Sequence, residues 1–154
     1  MFWKKKKVFE DYFSEIQSDM IAICLEYVEN KGEKIYIYCS YEDKVITGNV
    51  FYRINEKIVK KHKLNDAINQ SDNPFDVSIE RQKATISVIN EDIKQLIKLY
   101  DEYKRDMPTQ IKLIYDIKSN SVNAEYQYDL IYSMDMNKDA NDIFEDWVKL
   151  ESSN

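Results

Sequence analysis

Glycine and proline are nearly missing from this chain of 154 residues, which has two of each. That scarcity excludes collagen, a turn-dense sandwich and the glycine-rich loops that cradle phosphates. Gly32 and Gly48 stand alone, and neither opens a helix in the way a phosphate site requires. Histidine is scarcer still. His62 is the only one, so a multi-histidine metal site is impossible and a Ser-His-Asp arrangement would have to use that residue. It sits among Lys60, Lys61 and Lys63, whose charges oppose its protonation, in a stretch that reads as an exposed edge strand. Two cysteines, Cys24 and Cys39, have no CxxC or Cys/His context. They read as reduced, buried thiols, with a single bridge between them as the alternative.

Long apolar runs are missing as well. Met20 to Leu25 is the longest near the start, far below the ~20 residues that span a bilayer. Met1 to Lys7 has the basic flavour of a signal-peptide start, but Glu10 and Asp11 interrupt the apolar stretch that should follow. The expectation is a cytoplasmic protein with no membrane segment.

What the chain does contain is one domain's worth of patterned sequence, 44% apolar and 32% charged, which argues against disorder. Residues 8–31 predict a helix: Phe9, Tyr12, Ile16, Met20, Cys24 and Tyr27 recur at three-and-four spacing, with Gly32 as its stop. The period then shortens to two. Residues 35–63 predict a three-strand meander, with turns at Glu42-Asp43-Lys44 and Asn55-Glu56 and a last strand of Lys57 to Lys63. Residues 64–75 are a polar linker broken by Pro74.

Residues 76–106 predict a long helix striped by Ile89, Ile93, Leu96, Ile97 and Tyr100. Its start stays open between Asp76 and Ser87, because Ala84 to Ile89 also fits a short strand. After Pro108, residues 109–132 alternate as a hairpin, and residues 139–150 form a short helix with Ile143, Phe144, Trp147 and Val148 inward. The order excludes a doubly wound fold. It predicts a single α+β domain: an antiparallel sheet of about five strands, meander plus hairpin, against two long helices chiefly on one face, with a short C-terminal helix.

The search for chemistry yields little. Carboxylate pairs such as Glu91/Asp92 and Asp101/Glu102 fall on the wet sides of predicted helices, where solvation explains them better than a glycosidase-like mechanism. No cofactor or metal is called for, and an enzyme is not expected. A small hydrolase using a carboxylate pair would reveal itself by a deep pocket holding two acids.

Charge and aromatics point toward binding. The net charge is −6, yet residues 1–63 carry +2 and residues 64–154 carry −8. A direct nucleic-acid binder needs a basic face, so this balance speaks for a basic protein partner met by the second half. Asp135, Asp139, Asp142, Glu145 and Asp146 form an acidic ridge, of which Asp139 and Asp142 also suit the first turn of a helix. The twelve tyrosines exceed what one core uses. Tyr126 and Tyr128 on the second hairpin are candidate contact residues, since aromatics bring large area at low entropic cost.

Particular residues carry a resemblance. Leu99-Tyr100 near the end of the long helix, Pro108 ahead of Ile111 to Ile117, Tyr126-Gln127-Tyr128-Asp129, and Ile143-Phe144-Glu145-Asp146-Trp147 together resemble the YezG-type immunity proteins of bacterial polymorphic toxin systems. Thr109 and Gln110 stand where that family usually carries a Trp. The resemblance implies a cytoplasmic antitoxin that binds a cognate toxin, often a nuclease, and covers its active or substrate-binding surface. The alternative is a phage or mobile-element inhibitor that mimics nucleic acid with its carboxylates.

Overall fold

A computed structural model describes residues 6–154. The basic start, Met1 to Lys5, lies outside the described residues. Helix α1 (Phe9–Tyr27) leads into strands β1 (Lys34–Glu42), β2 (Val45–Ile54) and β3 (Lys57–Lys60). A short 3-10 turn (Lys61–Asp66) and a linker reach α2 (Ile79–Glu102), then β4 (Gln110–Asp116), β5 (Ser121–Gln127) and α3 (Ala140–Ser152). The strands form one sheet in the order β3-β2-β1-β4-β5, with every neighbouring pair antiparallel. The fold is α+β, and meander and hairpin join through β1 and β4. β1 is central because its residues are apolar, aromatic or small on both faces, and Ile35 to Ser40 are all buried.

The two long helices share one face of the sheet and run antiparallel. Arg105 beyond α2 meets Glu10 at 3.3 Å, and Arg81 at the other end donates to the carbonyls of Glu26 and Tyr27. Those carbonyls lie at the C-terminal end of α1, where Glu26 also accepts the Glu29 N–H at 3.0 Å, and a guanidinium there adds hydrogen bonds and favourable charge. Beneath them Met20, Cys24, Ile89 and Ile93 pack on Ile37, Val50 and Leu113. Gly48 on β2 permits the close approach of α2: a Cβ there would sit 2.6 Å from both Ile89 Cγ2 and Asn90 Oδ1.

The opposite face has its own core. Tyr36, Tyr38 and Phe51 are covered by Phe144 and Trp147 of α3. Tyr36 stacks on Phe51 at 4.4 Å, and the Trp147 ring meets Phe51 edge-on at 4.9 Å. Three layers result, with the short helix alone on its side among the described residues.

Several boundaries move for physical reasons. α1 stops at Tyr27 because Glu29 and Asn30 already take left-handed backbone angles and the Asn30 N–H closes on the Leu25 carbonyl at 2.9 Å; Gly32 lies beyond this stop. β3 ends at Lys60, since Leu64 and Ala67 must turn inward and are buried. His62 therefore rides an exposed 3-10 turn, not a strand. α2 begins at Ile79, where the Ser78 hydroxyl accepts the Arg81 N–H, so Ala84 to Ile89 are helical. Residues 128–132 of the expected hairpin belong to a loop. Cys24 and Cys39 are free and buried.

Candidate protein-binding surface

Residues 128–139 have no regular strand or helix, yet they are firmly held. The anchor is Glu42, 2% exposed at the end of β1. Its Oε1 accepts the backbone N–H groups of Ile131, Tyr132 and Ser133 at 3.0, 3.3 and 3.2 Å, and the Ser133 hydroxyl at 2.7 Å. Three successive amides converging on one carboxylate oxygen form a nest for the charge, which repays part of its desolvation. Thr109 Oγ1 lies 2.7 Å from the Asp129 carbonyl and donates to it, and the hydroxyls of Ser40 and Tyr132 meet at 3.0 Å. Strand pairing gives way at Tyr128 because the following amides go to Glu42 instead of to a neighbouring strand.

This pinned loop turns apolar side chains outward. Met134 is 85% exposed and Met136 fully so, and Tyr128 and Leu130 are more than half exposed. Single exposed apolar residues are ordinary, but Leu130, Met134 and Met136 are all exposed in one short loop, and exposed apolar residues gathered in this way point to a contact site. Methionine suits a binding surface because its unbranched thioether adapts to the facing contour. The signal was present in the sequence as Met134-Asp135-Met136, apolar residues in a stretch with no period to bury them. Glu42 gave no comparable signal, since it stood in a turn like any solvated acid.

The acidic ridge is present but largely engaged. Asp139 and Asp142 form a reciprocal cap at the start of α3: the Asp142 N–H donates to Asp139 Oδ1 at 3.0 Å, and the Asp139 N–H to Asp142 Oδ2 at 2.9 Å. Glu145 turns toward the sheet edge and pairs with Lys60 at 3.0 Å. Asp146 and Lys138 are both exposed and lie 3.9 Å apart. Asp135 accepts the Asn137 N–H at 2.9 Å, and with Asp139 it lines a 440 Å³ depression floored by Glu42 and Tyr132. The five acids thus do not form one bare anionic face. Tyr128 lies close enough to Tyr100 and Tyr126 for its charge, after burial, to raise both of their hydroxyls, so it is on the helix side of the sheet and not on this surface. Tyr126 lies on the helix side of the sheet, its ring 6.4 Å from Phe13.

Titratable groups elsewhere differ from expectation at one place. Asp92, read as solvated, is 3% exposed. It follows Ile89 by three positions and precedes Leu96 by four, so it sits on the buried stripe of α2. Burial, a hydrogen bond with Asp19 and the Asp19 and Glu91 charges push its carboxyl up to about 8. It lines a 530 Å³ groove between α1 and α2 with Tyr12, Glu15, Asp19, Lys98 and Glu102. His62 is lowered, first by partial burial and then by its three lysine neighbours. Burial pushes the Cys39 thiol up to about 12 and that of Cys24 higher still, so neither is a thiolate at neutral pH.

Among the described residues no group of three or more His, Cys, Asp or Glu side chains is arranged to hold a metal ion. No described helix is long and apolar enough to cross a membrane. No protein-family model matches the chain, and no curated protein sequence matches it.

Proposed function

We propose that this chain is an immunity-type protein that binds a basic protein toxin, such as a nuclease, in the cytoplasm and blocks its substrate-binding surface. One observation carries the reading: the Glu42-pinned loop presents Leu130, Met134 and Met136 to solvent, with Asp135 and Asp139 beside them. Nothing in the fold of one chain requires three apolar side chains to be held in water. A partner that covers them recovers the hydrophobic free energy, while the neighbouring carboxylates steer a basic surface into register. The YezG-type resemblance of residues 93–147 supports the same reading.

Engagement of the ridge favours a specific partner over general imitation of nucleic acid. Mimicry requires many unpaired carboxylates at phosphate-like spacing, whereas Glu145 and Asp146 already face Lys60 and Lys138. The test is co-purification and inhibition of the toxin encoded beside this chain. Wild-type protein should bind it stoichiometrically. The combination Met134→Ser, Met136→Ser and Asp135→Lys should weaken binding by a factor of roughly one hundred, as loss of a central anchor cluster does. Unchanged affinity in that variant removes the loop from the interface, and failure of the wild type to bind any neighbouring toxin defeats the reading.

A further inference from the structure

The two edges of the sheet are built differently. β3 is a four-residue strand with a lysine at each end, followed at once by Lys61, and Glu145 of α3 reaches across to Lys60. That edge is short, charged and overlaid. β5 closes the other side of the sheet with seven residues, Ser-Val-Asn-Ala-Glu-Tyr-Gln, containing no lysine and no proline. Among the described residues its partner in the sheet is β4 alone. Long edges without guards are templates for another strand.

The hydrogen-bond phase shows which groups face outward. The Tyr41 N–H bonds the Thr109 carbonyl and the Ile117 N–H bonds the Glu33 carbonyl, so the odd-numbered residues of β4 face β1 and the even-numbered ones face β5. Those even residues oppose Ser121, Asn123, Glu125 and Gln127. The N–H and C=O groups of Val122, Ala124 and Tyr126 therefore point away from the sheet.

We infer that the β5 edge pairs with the β5 edge of a second copy of this chain, antiparallel about Ala124. In that register Ala124 meets the second copy's Ala124, and Val122 meets its Tyr126. Every outward N–H and C=O of the three residues is then satisfied by its counterpart, which a two-fold axis demands and a shift by one residue would destroy. The side chains agree with the backbone. Val122, Ala124 and Tyr126 share the face of Leu113 and Ile111, so the pairing sets aromatic against β-branched, a favourable cross-strand combination. On the other face Asn123 meets Glu125, so no like charges stand opposite one another. This pairing is argued from the strand edge and does not depend on the toxin-binding reading.

The experiment is sedimentation equilibrium of the full chain over a wide concentration range, with three variants. Wild type should pass from 18.4 kDa monomer to dimer as concentration rises. Asn123→Glu, which opposes Glu125 twice across the axis, should weaken the dimer roughly tenfold, and Asn123→Lys should tighten it by a similar factor. Both changes lie on an exposed strand position, and matched melting curves establish that the monomer still folds. Ala124→Pro, which removes an outward N–H and leaves the bonds to β4 intact, should abolish association. A monomer at every concentration overturns the inference. So does a dimer indifferent to all three substitutions, and so does a strand that pairs only with another protein.

Discussion

Two residues show how a single atom decides the fit of helix to sheet. Gly48 is one: adding a methyl group places it 2.6 Å from Ile89 and Asn90, so α2 must move or two side chains must leave their rotamers. Gly48→Ala should cost about 1–3 kcal/mol in urea unfolding, and a neutral result would mean that α2 floats more freely than its packing implies. Asp92 is the other. Its carboxyl keeps its proton up to about 8 in the folded chain because of burial and the nearby Asp19, whereas an unfolded aspartate ionises near 3.9. The folded pKa is raised, so the folded state binds more protons between those values, and stability falls as pH rises from about 4 to about 8. Asp92→Asn should flatten that slope and melt several degrees higher than wild type near pH 8. Melting curves from pH 4 to 9 check it; a wild-type slope that survives the substitution assigns the effect to other groups. The burial of Asp92 makes this shift visible. Its spacing from Ile89 and Leu96 already placed it on the apolar stripe; reading it with Glu91 as one more wet helix acid followed its charge instead of that spacing.

Among the elements, those with regular periods were legible and those held by a distant side chain were not. β2 runs from Val45 to Ile54 as its alternation requires, and the stripe of α2 resolves the doubt over Ala84 to Ile89 in favour of helix. Strand alternation, by contrast, runs on through Tyr128 and Leu130, yet β5 stops at Gln127. The competitor is Glu42, some ninety residues earlier in the chain, whose carboxylate collects the amides of Ile131 to Ser133. Local sequence carries no trace of such a bond. Its energetic role is testable: Glu42→Ala strips three amides and a hydroxyl of their acceptor and should cost about 2–4 kcal/mol, each orphaned donor contributing its own penalty. Hydrogen exchange at Ile131, Tyr132 and Ser133 should accelerate far more than at β1 or β2. Exchange that stays slow at those amides would show the loop held by other means. The same variant bears on the contact surface, since Met134 and Met136 are presented by the segment that Glu42 fastens.

For the molecule as a whole, the sheet belongs to two cores at once. β1 gives Ile35, Ile37 and Cys39 to the α1/α2 side and Tyr36 and Tyr38 to the α3 side. Its unbroken burial hinted at cover on both faces, although the two long helices sit together and the third layer is a single helix of 13 residues. A helix that short has almost no stability of its own in water. It persists because Phe144 and Trp147 close over Tyr36, Tyr38 and Phe51, and those aromatic side chains cannot be left wet. Shared strands couple the layers: loosening α3 uncovers the sheet, and disrupting the sheet removes the only surface on which α3 folds. Unfolding should therefore be a single cooperative step. Trp147→Ala should lower global stability by about 3–5 kcal/mol, with β1 amides and α3 amides losing protection by the same amount. If α3 instead exchanges early while β1 keeps its full protection, the third layer is an independent unit docked on a finished two-layer fold, and the acids at its N-terminus would move with it.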